Sequence, residues 1–282
     1  TGEPNDPYQI YTAEQMNAIG AEPNDWDKHF KLTADIDLSA FDSKDSKPAF
    51  NIIRRFSGVF DGDNHVIRNL TIDKPNGSDV GLISILEANG RVCNMGLQNV
   101  SISGSDCVGG LAGINDGGEL AACYATGSVS GYDFVGGLVG DNYGRLIGCY
   151  TAVSVIGGDW AIGGIVGFNW DGSLIDCHAT GSVDGNDSVG GLVGDNYDGG
   201  SFTRCYATSV VTGNFAVGGL VGSHGGGSIT CCYATGPVSG MFGGVGGLVG
   251  SNNDSITACY AAGPVSAGDV FGDAGGLVGY ND

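Results

Sequence analysis

The stretch that decides the fold is VGGLVGDNYG at residues 135–144, which returns as VGGLVGDNY at residues 189–197. Near-copies begin at residues 108, 162, 217, 245 and 274, so successive copies lie 27 to 29 residues apart. A second phrase recurs between them, for example CYATGSVSG from Cys123 and CHATGSVDG from Cys177. Fixed periods in the twenties are typical of solenoids, in which each repeat forms one turn and buries its apolar face against its neighbours.

The repeat unit has the pattern of short strands joined by turns. Its apolar runs are brief, rich in Val and Ile, and bounded by Gly, Asn, Asp and Ser. Three such runs per repeat predict an all-β fold, a single-stranded parallel β-helix with three sides and about eight turns of 27–29 residues. We expect a right-handed coil, because crossovers between parallel strands are overwhelmingly right-handed.

Positions that recur in every repeat predict columns of stacked side chains. One cysteine per repeat lies between positions that vary freely, which places its thiol inside the coil as a small apolar group. Neighbouring cysteines would point in the same direction, so we expect free thiols and no disulfides. This column consists of Cys93, Cys123, Cys149, Cys177, Cys205, Cys232 and Cys259.

Two further columns are predicted, one of asparagines and one of aromatic rings. Asparagine amides in a turn can hydrogen-bond to the copies above and below, and His224 substitutes for one of them. The asparagines are Asn115, Asn142, Asn169, Asn196, Asn252 and Asn281. The residue after each repeat cysteine should point outward, where stacked rings stabilise neighbouring turns without any ligand. These residues are Tyr124, Tyr150, His178, Tyr206, Tyr233 and Tyr260.

The charge of the chain limits its partners. The formal net charge is −20, and nine of the 11 Lys and Arg residues precede residue 92. An acidic coil repels nucleic acid and anionic membranes. No apolar run is long enough for a membrane-spanning helix. We therefore expect no nucleic-acid partner and no direct membrane insertion.

The N-terminal segment differs from the repeats. Thr12 and Gln15 form a capping-box pattern before Met16 and Ile19, which predicts a short helix over residues 12–19. Strands are predicted at about 29–38 and 66–72. We expect residues 1–56 to form a cap and residues 57–282 to form the solenoid. The sequence ends within a repeat, so we expect the natural protein to continue beyond Asp282 or to be capped there.

The repeats resemble a known family. The GGLVG phrase at this period, over roughly residues 80–282, is similar to the GLUG-motif repeat of bacterial surface and secreted proteins, including adhesin-like proteins and precursors of IgA-cleaving peptidases. YQIYTAEQMNAIG, FKLTADIDLSAF and FSGVFDGDNHVIRNLTI also resemble the segments that precede such repeats. The resemblance implies an exported β-solenoid, secreted or at the cell surface, which could be one domain of a longer chain. No HExxH sequence is present to which a peptidase activity could be assigned.

The residues that depart from strict repetition are the candidates for function. Tyr143, Trp170 and Tyr197 follow the asparagine column on three consecutive turns, and such a strip of rings can stack on sugar rings. Asp141 and Asp195 lie at its edge. We predict that these five residues bind a glycan or cell-surface ligand, and that the chain is a non-catalytic module for adhesion or carbohydrate binding.

Other function classes remain as alternatives. Asp141 and Asp195 occupy one turn position two turns apart, ~9.6 Å by strand spacing, at the upper limit for the acid and base of an inverting glycosidase. The alternative is therefore a polysaccharide-acting glycoside hydrolase or lyase. A threonine array for ice binding covers only three turns. FDGDNH at residues 60–65 suggests calcium but lacks a calcium-loop spacing, so we predict no cofactor and no metal site.

Overall fold

The chain forms a parallel β-helix in the computed structural model, which describes residues 1–42, 47–268 and 273–282. All pairings between the strands that the structure describes are parallel, and each strand pairs with its counterpart one repeat later. Leu120, for example, is in register with Leu146, which is in register with Leu174. The predicted all-β solenoid is confirmed.

Four sheets, here called A to D, follow one another around each turn in the order C, D, A, B. Sheet A consists of Tyr8–Ile10, His29–Leu32, Val59–Asp61, Arg91–Cys93, Glu119–Ala121, Arg145–Ile147, Ser173–Ile175, Ser201–Thr203, Ser228–Thr230 and Ser255–Thr257. Sheet B consists of Ile36–Asp37, Val66–Arg68, Thr71–Asp73, Gly96–Ser103, Tyr124–Gly131, Tyr150–Gly157, His178–Asp184, Tyr206–Ala207, Val210–Gly213, Tyr233–Ala234, Val238–Gly240, Tyr260–Ala261 and Val265–Ala267.

Sheets C and D are built by the glycine phrase. Sheet C consists of Asp106–Gly109, Asp133–Gly136, Trp160–Gly163, Asp187–Gly190, Phe215–Gly218, Val245–Gly246 and Ala274–Gly275. Sheet D consists of Ile53–Phe56, Ile83–Glu87, Ala112–Asp116, Val139–Asn142, Val166–Trp170, Val193–Tyr197, Val221–His224, Val249–Asn252 and Val278–Asn281. Each turn thus has four strand segments, because the phrase itself breaks into two strands. Sheet D has one strand per turn, so its nine strands in the described residues correspond to nine turns. The repeats predict about eight turns. The additional strand, Ile53–Phe56, lies before the first repeat.

The glycines of the phrase are required by close backbone contacts. A Cβ atom on Gly136 would lie 2.0 Å from the carbonyl oxygen of Val139. A Cβ atom on Gly140 would lie 2.5 Å from the carbonyl carbon of Cys107 in the preceding turn. Contacts this short exclude any side chain, so the glycines allow sheet D to fold tightly against sheet C. The outer face of this corner is consequently narrow and concave.

The interior is filled by the predicted columns. Cys123, Cys149, Cys177 and Cys205 are fully buried, free thiols. Each hydrogen-bonds to backbone carbonyls, as the Cys123 Sγ does to the oxygen of Val92 at 3.5 Å. The neighbouring Cys177 thiol and burial raise the pKa of Cys205 to about 12. The buried free thiols of the column therefore pack as small apolar groups, as predicted.

The asparagine column forms a hydrogen-bonded ladder inside the coil. The side-chain Nδ2 of Asn115 donates to Oδ1 of Asn142 at 2.7 Å, and Asn142 donates in the same way to Asn169 at 2.6 Å. The last continuous step joins Asn196 Nδ2 to His224 Nδ1 at 2.9 Å. His224 therefore replaces an asparagine in the ladder, as predicted. Beyond it, Nε2 of His224 and Oδ1 of Asn252 have no hydrogen-bond partner among the described residues.

The N-terminal segment pairs directly with the coil. Its helix spans Ala13–Ile19, and the predicted capping box is present, with Thr12 Oγ1 accepting from the Gln15 amide at 3.2 Å. A short 3-10 helix follows at Pro23–Asp25. Tyr8–Ile10 pairs with His29–Leu32, which pairs with the first strand beyond residue 56. The cap strands thus continue sheet A, and the boundary at residue 56 stays a prediction.

Candidate functional site

A groove runs along the outside of the coil where sheets C and D meet. Its floor is formed by outward positions of sheet D, where Asp141, Phe168 and Asp195 are in register on successive turns and Ser223 follows. The side chains of sheet C face this floor, and the Trp160 ring lies 5.4 Å from that of Phe168. We call this feature the corner groove.

The corner groove deepens into a cavity of about 330 Å³. That volume is in the range of pockets that hold a small ligand or one residue of a longer one. The cavity is lined by Trp160, Phe168, Trp170, Asp195, Tyr197, Ser223 and Gly225. A second hollow of about 240 Å³ extends along the same corner beside Ser251 and Tyr280.

The structure brings only some of the predicted site residues together. Trp170 and Tyr197 line the cavity with ring centroids 5.0 Å apart, and Asp195 lies on its floor. Tyr143 is 43% exposed but makes no ring contact with the part of the chain that the structure describes, whereas the Trp170 ring lies against Phe168. The three-ring strip is therefore a pair of rings beside a separate tyrosine. Asp141 also lies outside the lining of the cavity.

Sequence reasoning overlooks three residues of this cavity: Trp160, Phe168 and Ser223. Trp160 begins a strand of sheet C, and the strands before and after it in the sheet carry Asp133 and Asp187 near this point. Its indole Nε1 donates to the Ser188 hydroxyl at 3.1 Å, which fixes the ring at the rim. In the sequence, Trp160 stands at a position that is aspartate in the repeats before and after it, and this departure could have identified Trp160 as a candidate site residue.

Both candidate aspartates are buried carboxyl groups with raised pKa values. Asp141 is 8% exposed and Asp195 is 6% exposed. Burial raises the pKa of Asp141 to about 6, against opposing interactions with the Tyr143 hydroxyl and the Asn142 amide. Burial raises the pKa of Asp195 to about 6 as well, opposed by the Ser223 hydroxyl. In each carboxyl group, Oδ1 has no hydrogen-bond partner among the described residues.

The two aspartates occupy similar environments on either side of Phe168. An acid and a base that act together need pKa values that their surroundings push apart. Here the pKa values of Asp141 and Asp195 are both about 6, for the same main reason. Phe168, 7% exposed, fills the position between them. The arrangement supplies two separate polar sites more readily than one catalytic pair.

The outward tyrosine column on sheet B has a different geometry. Its neighbouring rings are stacked with centroids 4.6–5.1 Å apart and interplanar angles of 1–7°. Stacked faces cover one another, so this column stabilises adjacent turns, as predicted. In the cavity, by contrast, Trp170 and Tyr197 are tilted by 51°, and Trp160 and Phe168 by 50°. Tilted rings leave part of their faces free for a ligand.

Other candidate groups are engaged within the protein. In the FDGDNH turn, Asp61 accepts hydrogen bonds from the Asp63 amide and the Asn94 side chain, and Asp63 pairs with Lys31.

Among the described residues, no group of three or more His, Cys, Asp or Glu side chains is placed to hold a metal ion. In the same part of the chain, no helix is long and apolar enough to cross a membrane.

Comparison with protein families matches three separate turns of the coil. The model of the GLUG motif matches residues 104–130, 158–184 and 213–239. The chain carries GLUG repeats. Each matched GLUG segment is one turn of the coil, from the start of sheet C to sheet B. Trp160, Phe168 and Trp170 lie within the second match, whereas Asp195 and Tyr197 belong to a turn between matches.

Relatives share part of this GLUG coil. Over 125 residues, 41% of this chain, it is 36% identical to Halomucin of Haloquadratum walsbyi, of which the match covers 1%. Over 122 residues it is 33% identical to a protein of Evansella cellulosilytica, provisionally named a Gly-rich membrane protein, of which the match covers 14%. The chain therefore spans only a small part of the length of these curated relatives.

A solved structure has the same architecture. It is a chain from Bacteroides ovatus, provisionally named an immunoglobulin A1 protease, and the match has a TM-score of 0.69 at 23% sequence identity. The match covers 95% of the present chain and 84% of that one. At this identity the likeness shows the fold alone.

Proposed function

We propose that the chain is a non-catalytic, exported module that binds carbohydrate at its corner groove and so serves adhesion. The observation that carries the proposal is the cavity of about 330 Å³, in which Trp160, Trp170 and Tyr197 present tilted, partly exposed rings. Aromatic faces stack on the apolar faces of sugar rings, and the adjoining hollow would hold further residues of a glycan chain.

The relatives support a place at the cell surface. One carries the name Halomucin and another is provisionally named a Gly-rich membrane protein. A net charge of −20 fits a protein that remains dispersed in its surroundings, because like charges repel. We propose that this chain, too, is secreted or displayed at the surface as part of a repeat-built protein.

A glycan array with matched variants tests the binding proposal. Trp170→Ala removes one wall of the cavity and is expected to abolish binding of the glycans that the native protein retains. Tyr11→Ala serves as the control, because Tyr11 is 57% exposed, more so than Trp170 at 38%, and lies in the cap far from the cavity lining. Unchanged binding by Trp170→Ala would refute the assignment of the site.

A glycoside hydrolase or lyase is the second candidate function. It is favoured by Asp141 and Asp195, two buried carboxyl groups whose pKa values of about 6 suit proton transfer near neutral pH. A screen for polysaccharide turnover with Asp141→Asn and Asp195→Asn separates the two functions. Turnover that both changes abolish would establish the enzyme, whereas binding without turnover supports the module.

A further inference from the structure

One oxygen of the carboxyl group on the floor of the cavity lacks a partner, although the Ser223 hydroxyl interacts with the group. Asp195 is 6% exposed, and its Oδ1 receives no hydrogen bond from any residue that the structure describes. A buried carboxylate oxygen without a donor is unfavourable, and in native proteins such an atom is usually satisfied by ordered water, a cation or a ligand. Among the residues that the structure describes, Asp195 is also the only charged one in the lining of this cavity.

The walls around Asp195 are aromatic. Phe168 separates Trp160 from Trp170, with centroid distances of 5.4 Å and 6.0 Å, and Tyr197 continues the row at 5.0 Å. The rings are tilted to one another by 50–58°. Faces of Trp and Tyr attract cations through the negative potential of the ring, most strongly where water is excluded.

Charges near the cavity reinforce this preference. Asp187, on the adjoining strand of sheet C, adds a second negative charge that acts on Asp195. Arg145 and Arg204 are the only Lys or Arg residues after residue 91. Arg204 is held by Asp176 through two hydrogen bonds of 2.7 Å on another face, and Arg145 is absent from the lining. The described lining of the cavity therefore contains negative charge and no Lys or Arg side chain.

We infer that this cavity binds an organic ammonium group, held between the rings of Trp160, Trp170 and Tyr197 above the Asp195 carboxylate. The inference rests on the proposed function where the ammonium group belongs to a glycan, which would then be an amino sugar with a free amine. The hydroxyl groups of a neutral sugar can donate to the carboxylate but leave its charge uncompensated, and an acidic sugar is repelled by Asp195 and Asp187.

Tetramethylammonium is the direct probe, since it carries a permanent charge and no hydrogen-bond donor. Its binding to the intact chain is followed by tryptophan fluorescence and calorimetry. Asp195→Asn keeps the shape and removes the charge, and is expected to weaken binding by about tenfold or more. Asp184→Asn, an exposed carboxylate of sheet B, makes the same change in net charge and is expected to bind as the native chain does.

A second variant guards against misfolding of Asp195→Asn. Trp170→Leu keeps an apolar side chain at a 38% exposed position but removes the ring, and is expected to lower tetramethylammonium affinity several-fold, to about a third or less. Affinity of the native chain is also expected to rise as the pH increases through about 6, where Asp195 ionises beside Asp187. Absence of binding, or equal binding by native, Asp195→Asn and Trp170→Leu proteins, would overturn the inference.

Paired oligosaccharides distinguish the source of the ammonium group. Glucosamine oligomers carry free amines, and N-acetylglucosamine oligomers of equal length carry none. Binding of the first alone supports both the cavity inference and the proposed function. Binding of tetramethylammonium but of neither oligomer, nor of any glycan on the array, keeps the inference and refutes the carbohydrate function. Equal binding of both oligomers without tetramethylammonium keeps the function and refutes the inference.

Discussion

Replacement of His224 by asparagine should stabilise the coil, because His224 interrupts the internal ladder. Asn196 and His224 are joined at 2.9 Å, but His224 Nε2 and Asn252 Oδ1 then have no partner, although Asn252 donates onward to Asn281 at 2.7 Å. With Nδ1 accepting, the imidazole carries its proton on Nε2, so a buried donor and a buried acceptor are both unsatisfied. An asparagine can accept from Asn196 and donate to Asn252, as Asn142 and Asn169 accept from and donate to their asparagine neighbours.

The expected gain in the free energy of unfolding follows from the two unpartnered groups, His224 Nε2 and Asn252 Oδ1. A buried donor or acceptor without a partner costs about 1–3 kcal/mol, and a new hydrogen bond contributes about 0.5–1.5 kcal/mol net. The smaller asparagine loses some of the packing of the imidazole, which is 1% exposed, and this loss offsets part of the gain. We therefore expect His224→Asn to raise the free energy of unfolding by about 1–2 kcal/mol, or the Tm by roughly 2–6 °C for a chain of this size.

Urea and thermal unfolding at pH 7 and pH 5, followed by circular dichroism, measure the effect. Burial lowers the pKa of His224 from its usual 6.5. Protonation below pH 6.5 therefore favours the unfolded chain, and the stability that neutral His224 contributes is lost as the pH falls. The advantage of His224→Asn should consequently be larger at pH 5. The matched variant Asn169→His creates a break in the continuous part of the ladder and should destabilise. If His224→Asn is no more stable than the native chain at either pH, the ladder argument is wrong.

Two further predictions concern buried ionisable groups. Burial raises the pKa of Asp141 and Asp195 from 3.8 to about 6, so their ionisation opposes folding; stability is full at low pH and falls as the pH rises from about 4 through 6. Asp195→Asn should remove the destabilisation caused by ionised Asp195 and so raise the free energy of unfolding by up to about 3 kcal/mol at pH 7. At low pH, where Asp195 is protonated, the native and variant proteins should be equally stable. A denaturation series in which their difference in stability does not shrink as the pH falls would contradict this. Among the nine cysteines, Cys231 is exposed and should react rapidly with a thiol reagent, whereas the Cys123–Cys205 column should react only after unfolding. Cys107 and Cys259 are partly buried and can also be labelled, so the test is made on a Cys231→Ser protein with the labelled residues identified by mass spectrometry. Rapid labelling of Cys123, Cys149, Cys177 or Cys205 under native conditions would show that the column opens in the native state.

The fold could be predicted because its determinants repeat. A position such as that of Leu120 appears once per turn, so its constancy marks it as interior without any structure, and all its described counterparts through Ile229 are fully buried. The break of the glycine phrase into two strands was less visible. The tight corner between the two strands includes contacts of Gly140 with the preceding turn. Contacts between turns cannot be predicted from the sequence of one repeat alone.

The candidate site could be predicted only in part, for the same reason. Trp170 and Tyr197 depart from the repeat in one column of the sequence, and Asp195 departs from it in the column before the asparagines, so each column by itself identifies them. Trp160 belongs to another column on another sheet, and only the concave corner between sheets C and D places it opposite Trp170. The ring orientations are likewise set by neighbours across this corner, which is why Tyr143 lies outside the cavity.

All the columns have the same period, so the length of the coil is set by the number of complete repeats. An insertion or deletion of one complete repeat keeps every thiol, amide and tyrosine in register and changes the length of the molecule by one strand spacing, ~4.8 Å. A change of any other size misaligns the ladder, the tyrosine column and the glycine corner together. The length of the coil can therefore change during evolution by whole turns. The aromatic cavity is confined to Trp160–Gly225, so the turns that form it can be duplicated or deleted together without disturbing the turns around them.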